Sequence, residues 1–216
     1  MIDFKSAIFD ADGTLLDSMH IWSKAAFESY TRSRPDRNDN LRSPERNQAS
    51  QYLQTEYDKR GSLEDVHLAR ATLLKNFYFY EAQLKEGVLQ LLDLFRQRGT
   101  KMCVATATDR WLMEPALRRC GILDYFESIF TCGEEETNKN SPDIYLTASA
   151  SLGAEIGETL VFEDAFYAIK SAKKAGFPVV AVYDSHSEDQ QDEIKSLCDY
   201  YCVSMNEFTH LLLSGK

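Results

Sequence analysis

The stretch IFDADGTLL, residues 8–16, decides how the rest of this chain of 216 residues is interpreted. It begins with apolar residues and turns abruptly to two carboxylates and a glycine. This pattern is typical of a buried strand of a parallel sheet, followed by the point where the chain leaves the sheet. We therefore expect residues 10–14 at the carboxyl end of a strand, where such sheets bind their ligands.

Two carboxylates, Asp10 and Asp12, are separated by one residue in this stretch. In an extended segment, side chains two residues apart point the same way, so both carboxylates can face one pocket. Because neighbouring carboxylates repel each other, the pattern favours a divalent metal ion and one carboxyl group that protonates readily. Gly13 permits a positive φ or a close approach of the backbone. A solvated turn explains these four residues about equally well.

The segment resembles the signature of the haloacid-dehalogenase-like hydrolases, in which Asp-x-Asp-Gly-Thr follows the first strand. The resemblance implies that Asp10 is the nucleophile and that Asp12 is the general acid and base. It also implies Mg²⁺, held by Asp10, by the backbone carbonyl of Asp12 and by a later acidic pair. Gly13 is expected beside the phosphoryl group of the substrate.

Two later residues resemble the phosphate-binding positions of this family. Thr106 ends an apolar run and resembles the Ser or Thr whose hydroxyl, with the next amide, that of Ala107, binds the transferring phosphoryl group. Lys139 stands just before a helix that begins with proline and resembles the lysine that offsets negative charge on nucleophile and phosphoryl oxygens. Taken alone, such residues are more typical of turns and solvated surface.

Glu163 and Asp164 end another apolar run and resemble the acidic pair of the family's fourth motif. The resemblance assigns Asp164 as a Mg²⁺ ligand and Glu163 as a ligand or as a partner of the ligands. The chain has Asn140, Ala165 and Ala168 where many relatives have Pro, Ser and Gly. The two alanines are expected to tighten or shift the loop beside the metal. The overall pattern is most similar to the phosphoglycolate-phosphatase and β-phosphoglucomutase branch.

From residue 86 onward, helical and strand patterns alternate along the chain. Such alternation predicts an α/β fold with a doubly wound, mostly parallel sheet and right-handed crossovers. The expected helices span 88–98, 110–120, 142–152, 166–175, 189–197 and 206–213, and the expected strands span 102–105, 128–131, 159–162, 178–182 and 200–203.

Residues 17–85 are expected to form an all-helical cap domain, inserted into a core made of residues 1–16 and 86–216. Apolar residues recur at helical spacing after Ser18, and a second helix over about 43–60 has Pro44 in its first turn. A third helix opens with capping-box-like residues at 62–65 and carries an apolar face that reaches Leu84. The family has its helical cap at this place in the chain.

Composition is that of a globular protein, with 44% hydrophobic residues. No apolar run approaches the roughly 18 residues of a membrane span, and the first residues lack a signal-peptide pattern, so a cytoplasmic location is expected. The five cysteines are odd in number and lack Cys-x-x-Cys spacing, which favours reduced thiols over disulfides or a zinc site.

The net charge of −10 argues against a nucleic-acid partner, because binding to phosphate backbones needs concentrated positive charge. Charge is distributed unevenly, however. Residues 17–85 hold 11 Lys and Arg against 10 Asp and Glu, whereas the remainder holds 13 against 24. Basic residues cluster in the predicted cap, and one or more is expected to contact the non-phosphoryl end of the substrate: Arg32, Arg34, Arg37, Arg42 and Arg46.

The resemblance implies a Mg²⁺-dependent phosphatase that hydrolyses a small phosphorylated metabolite through an aspartyl phosphate. One alternative is a sugar-phosphate mutase similar to β-phosphoglucomutase, but mutases of that branch have a histidine at the position of Trp22. Another is a non-catalytic regulatory protein on the same fold, which the presence of all four motifs disfavours. The substrate and the oligomeric state are not encoded in any motif.

Overall fold

The structure is a computed structural model that describes residues 4–22 and 63–214, without the side chains of 63–67 and 69. The first cap helix beyond Trp22, the second cap helix over 43–60 and the five clustered arginines lie outside the described residues. The predictions made for those segments therefore stay predictions.

Six strands form one sheet in the described part of the chain, and every neighbouring pair is parallel. The spatial order is β3-β2-β1-β4-β5-β6, so the winding reverses between β1 and β4. This confirms the predicted doubly wound α/β fold. The strands are β1 (Ser6–Phe9), β2 (Lys101–Thr106), β3 (Ser128–Thr131), β4 (Thr159–Glu163), β5 (Val179–Val182) and β6 (Tyr200–Cys202).

Helices connect these strands and agree with the expected core helices to within two residues at each end. A 3-10 segment, Ser185–Gln190, precedes α6, so that helix begins at Gln191. The described helices are α1 (Leu63–Asn76), α2 (Val88–Arg98), α3 (Arg110–Arg119), α4 (Asp143–Leu152), α5 (Phe166–Lys174), α6 (Gln191–Leu197) and α7 (Met205–Ser214).

Both faces of the sheet are buried under helices. Because side chains of a strand alternate between its faces, neighbouring residues of β1 pack on opposite sides. Phe9 packs on one face among residues of α2, α3 and α7. Ile8 packs on the other face among residues of α4, α5 and α6. The central strand β1 is buried along its whole length, which fixes the position of the carboxylates that follow it.

The two chain segments that join the predicted cap to the core run side by side. Asp17 N donates to Gln83 O at 3.0 Å, and Lys85 N donates to Leu15 O at 2.9 Å. Between α1 and this crossing the chain forms a π-helical segment, Phe77–Glu81. The third cap helix therefore ends before Leu84, which instead pairs with Leu16. The boundaries at 16/17 and 85/86 stay predictions.

No helix within residues 4–22 and 63–214 combines the length and the apolar character needed to cross a membrane. All five cysteines are unpaired, and Cys103 and Cys202 are buried.

We predict that Phe9→Ala lowers the free energy of unfolding by about 3–5 kcal/mol, the usual cost of removing a buried aromatic ring. Phe9 is inaccessible to solvent, and its ring stacks on Phe162 with centroids 4.4 Å apart. Urea unfolding measures the change. Tyr80→Ala is the matched control, because this ring is 70% exposed and its loss is expected to change stability by less than about 0.5 kcal/mol. Equal effects of the two substitutions would contradict the assignment of the core.

Candidate active site

Three neighbouring strands end at the same edge of the sheet and deliver the predicted residues there. Asp10 follows β1, Thr106 is the last residue of β2, and Glu163 is the last residue of β4. Asp10 N donates to Phe162 O at 2.9 Å, so the β1–β4 pairing continues up to the first carboxylate. Since β1 and β4 flank the reversal of winding, the site lies where doubly wound sheets place their ligands.

Lys139, from the loop between β3 and α4, reaches the same edge. Its ammonium donates to Asp10 Oδ1 and, at 2.6 Å, to Glu163 Oε1. Only 4% of Lys139 is exposed. Although burial lowers its pKa, the carboxylates of Asp10 and Glu163 raise the pKa above its ordinary value, so the ammonium stays charged. The structure thus brings Asp10, Lys139 and Glu163 together.

Glu163 is held on both oxygens. Oε1 accepts from Lys139 and, at 2.7 Å, from the hydroxyl of Tyr145, while Oε2 accepts from Asp164 N at 3.1 Å. Ala165 N donates to the same Oε2 at 3.4 Å. The carboxylate thus accepts from the two amides that immediately precede helix α5, which begins at Phe166 without a side-chain cap at Ala165.

Asp10, Glu163 and Asp164 offer oxygen atoms that all lie within 4.8 Å of one another, and all three residues are buried. A cavity of about 20 Å³ lies among these residues and Lys139, room for roughly one water-sized particle. Burial raises the pKa of Asp10 to about 7, against the influence of Lys139 and with that of Glu163. Burial and the Asp10 and Glu163 charges also raise the pKa of Asp164. Oxygen ligands and surplus negative charge fit a divalent cation.

Gly13 lies against Asp164. It has a φ of +83°, and a Cβ placed on it would stand 2.4 Å from Asp164 Oδ2. Both facts require glycine, since a side chain would collide with this carboxylate and strain the backbone. Its amide donates to Leu16 O at 2.9 Å, so the expected contact with substrate phosphate stays a prediction.

Asp12 points into a group of hydroxyl donors. Oδ1 accepts from Ser18 Oγ at 2.6 Å and from the hydroxyl of Tyr78, and Oδ2 accepts from Thr108 Oγ1 at 2.6 Å. Burial and the adjacent Asp12 raise the pKa of Tyr78 well above its ordinary value, so this hydroxyl remains a donor. The Asp12 carboxylate is therefore fixed from two directions and lies outside the carboxylate cluster of Asp10.

Tyr78, Thr108 and Tyr145 were not identified from the sequence. Tyr78 belongs to an aromatic run in a π-helical segment, a feature that is frequent at functional sites. Thr108 stands two residues after Thr106, at the same strand end. Tyr145 lies within the motif around Lys139, six residues after it, but no role was assigned to its hydroxyl group. Sequence periodicity indicates that an aromatic residue is buried, but it does not indicate what its hydroxyl group contacts.

The two predicted phosphate-binding residues at the end of β2, Thr106 and the following Ala107, differ in exposure. Thr106 is fully buried, and its hydroxyl accepts from Thr108 N at 3.0 Å. Ala107 lines the small cavity beside Asp10 and Asp164. Their roles toward a phosphoryl group stay predictions, as do the catalytic and metal-binding roles of the other site residues.

A family model described as haloacid dehalogenase-like hydrolase matches residues 7–182. The chain belongs to this family, which confirms the resemblance drawn from its motifs. The family match and the relatives named as phosphatases show an enzyme of the hydrolase class.

Curated relatives include a phosphorylated carbohydrates phosphatase of Thermotoga maritima, 30% identical over 80% of this chain and 82% of that protein. A validoxylamine A 7'-phosphate phosphatase of Streptomyces hygroscopicus is 28% identical over 86% of this chain and 89% of that protein. Two other relatives, from Bacillus subtilis and Arabidopsis thaliana, are matched over only 60% and 10% of their own length.

The solved structure of a hydrolase of this family from Deinococcus radiodurans, with bound phosphate and sodium, superposes with a TM-score of 0.76. It shares 19% identity, and the match covers 99% of this chain and 97% of that one. At this identity the likeness shows the fold alone, and it agrees with the sheet described above.

We predict that the metal-free protein loses stability as the pH rises from about 4 to about 7. The pKa of Asp10 is near 4 in an unfolded chain and about 7 in the folded protein. In this interval the folded state binds the additional proton, so raising the pH favours unfolding. Mg²⁺ binds deprotonated carboxylates and is expected to reverse the trend. Thermal unfolding across this range, with EDTA or with Mg²⁺, measures both effects.

Asp10→Asn and Asp17→Asn form a matched pair for this experiment. Asp10→Asn removes one of the two buried carboxyl groups with a raised pKa and is expected to reduce the pH dependence in EDTA, leaving the part that comes from Asp164. Asp17 is exposed over 70% of its side chain, so its replacement is expected to leave the dependence unchanged. An identical slope in wild type and Asp10→Asn would show that Asp10 does not take up the proton.

Proposed function

We propose that this protein is a Mg²⁺-dependent phosphatase that hydrolyses a small phosphorylated metabolite through an aspartyl phosphate on Asp10. The observation that supports it most is that the carboxylates of Asp10 and Asp12 have different surroundings. Asp10 faces an ammonium and two further carboxylates, whereas Asp12 is surrounded by hydroxyl donors. The names of relatives that are phosphatases of phosphorylated carbohydrates and of validoxylamine 7'-phosphate support the same class.

In the first half-reaction, a carboxylate oxygen of Asp10 attacks phosphorus in line, and the bond from phosphorus to the leaving alcohol oxygen breaks. Asp12 donates its proton to that oxygen, which leaves as a neutral alcohol. Lys139 offsets the negative charge that gathers on the phosphoryl oxygens, in a site from which water is largely excluded. The products of this step are the alcohol and the aspartyl phosphate.

In the second half-reaction, water attacks phosphorus and Asp12 takes up its proton, so the carboxylate of Asp10 is regenerated and inorganic phosphate leaves. A bound Mg²⁺ would supply positive charge for the phosphoryl oxygens. Asp10 and Asp164 are the residues best placed to hold it. Glu163 already accepts four hydrogen bonds, and it positions Lys139.

Hydrolysis is favoured over the mutase alternative, in which the phosphoryl group on Asp10 would be transferred back to the sugar. Trp22 stands at the position of the mutase histidine, and its Nε1 donates to Tyr78 OH at 3.0 Å. An indole has no basic nitrogen, so Trp22 cannot exchange a proton with a sugar hydroxyl. The excess of acidic residues disfavours nucleic acid as substrate. A cytoplasmic location stays a prediction.

We predict that Asp10→Asn reduces Mg²⁺-dependent release of phosphate from an aryl phosphate to background, because an amide is a poor nucleophile. Asp17→Asn serves as the exposed control and is expected to keep wild-type turnover. Mass spectrometry of quenched wild-type reactions is expected to find a phosphoryl adduct on Asp10. Retention of a tenth or more of wild-type activity by Asp10→Asn would exclude Asp10 as the nucleophile.

We predict that Tyr78→Phe impairs hydrolysis of alkyl phosphates about tenfold or more and of p-nitrophenyl phosphate much less. The substitution keeps the ring but removes a donor that fixes Asp12, and general acid catalysis matters most for poor leaving groups. Steady-state kinetics on both kinds of ester measure the difference. Asp12→Ala should show the same selectivity more strongly.

Tyr80→Phe is the matched control, since Tyr80 lies in the same π-helical segment with an exposed ring. Its kinetics are expected to equal those of the wild type. Equal losses of Tyr78→Phe on alkyl and aryl esters would indicate a structural role of Tyr78 without influence on the acid.

A further inference from the structure

A second cavity, of about 500 Å³, adjoins the small cavity that holds the carboxylates. The two share Ala107, and the wall of the larger one includes Thr108, which donates to Asp12. Under the proposed function, the leaving group departs on the side of the acid that protonates it. The larger cavity is therefore placed to hold the leaving group, and its size is that of a metabolite-binding pocket.

Arg70, on α1, lines this cavity together with Trp22. Its guanidinium carbon lies 5.6 Å from the centroid of the Trp22 ring. This distance is within the range of a cation–π contact, which leaves N–H groups of the guanidinium available for hydrogen bonds. Arg70 donates no hydrogen bond and forms no ion pair within the described part of the chain.

The other arginines of the described ranges are all engaged. Arg110 and Arg118 pair with glutamates, and three more donate to backbone carbonyls: Arg96, Arg98 and Arg119. Lys139, the nearby ammonium, is shared between Asp10 and Glu163. Arg70 is thus a cation at the cleft with unused donors, in a protein of net charge −10.

Arg70 is also linked to the acid by a short chain of contacts. Trp22 carries the guanidinium on its ring and donates to Tyr78, which in turn donates to Asp12. A group bound by Arg70 would therefore lie in the cavity that adjoins Asp12 through Thr108 and Ala107.

We propose that Arg70 binds a second anionic group, a carboxylate or a phosphate, on the leaving group of the substrate. Planar guanidinium groups pair with both anions through two parallel hydrogen bonds. The inference rests on the proposed function and narrows its substrate class to phosphomonoesters whose alcohol product is itself an anion. The basic residue expected at the non-phosphoryl end of the substrate is then Arg70, outside the cluster of residues 32–46.

Two pairs of substrates test this inference. 3-Phosphoglycerate is compared with glycerol 3-phosphate, and fructose 1,6-bisphosphate with fructose 6-phosphate, by phosphate release with Mg²⁺. In at least one pair, the wild type is expected to prefer the substrate whose leaving alcohol carries a second anionic group, which is called the anionic member; the other substrate is the neutral member. Arg70→Met is expected to lower kcat/KM for that member about tenfold or more and to leave the neutral member nearly unchanged. Arg70→Lys keeps the positive charge but loses the planar guanidinium, so its kcat/KM for the anionic member is expected to lie between the values of the wild type and of Arg70→Met.

Lys75→Met is the matched control, because Lys75 lies on the same helix over the ring of Phe79 and does not line the cavity. It is expected to match the wild type on all four substrates. If the wild type hydrolyses no phosphomonoester, the proposed function itself fails. If it hydrolyses them without preferring an anionic leaving group, or if Arg70→Met affects both members equally, the function stands and the role of Arg70 is overturned.

Discussion

The buried ammonium of Lys139, shared between Asp10 and Glu163, is the interaction on which the rest of the site depends. The carboxylates of Asp10, Glu163 and Asp164 lie together at one sheet edge, and placing like charges in a buried site is costly unless positive charge is close. Lys139 supplies one such charge, and the remaining excess favours a divalent cation. Removing one partner of a buried pair typically costs about 3–5 kcal/mol, so this contact also maintains the fold around Asp10.

The order of the strands makes this gathering possible. Asp10, Thr106 and Glu163 are far apart in sequence, yet β1 lies between β2 and β4, and all three strands run in the same direction. Their carboxyl ends therefore meet at one edge. Packing on both faces of the sheet, with Phe9 stacked on Phe162, holds the strand ends in register, and Gly13 lets the loop after β1 approach Asp164 closely.

A second set of contacts extends from the core into the segment after β1 and the π-helical segment before β2. Hydroxyls of Ser18, Tyr78 and Thr108 orient Asp12, and Trp22 joins Tyr78 to Arg70. The surroundings of Asp12 and the wall of the larger cavity thus share Thr108 and Trp22.

The sequence by itself determined the family, the α/β alternation, the bounds of most core elements, and the candidates Asp10, Asp12, Lys139 and Asp164, because apolar periodicity and short motifs are local properties of the chain. Only the tertiary structure decided that Tyr78 and Thr108 contact Asp12, that Glu163 is occupied by Lys139 and Tyr145, and that Arg70 faces a cavity beside the site. Those contacts join residues separated by as many as 96 positions. They arise from strand order, from a π-helical turn and from side-chain packing, for which single stretches of sequence carry no signal.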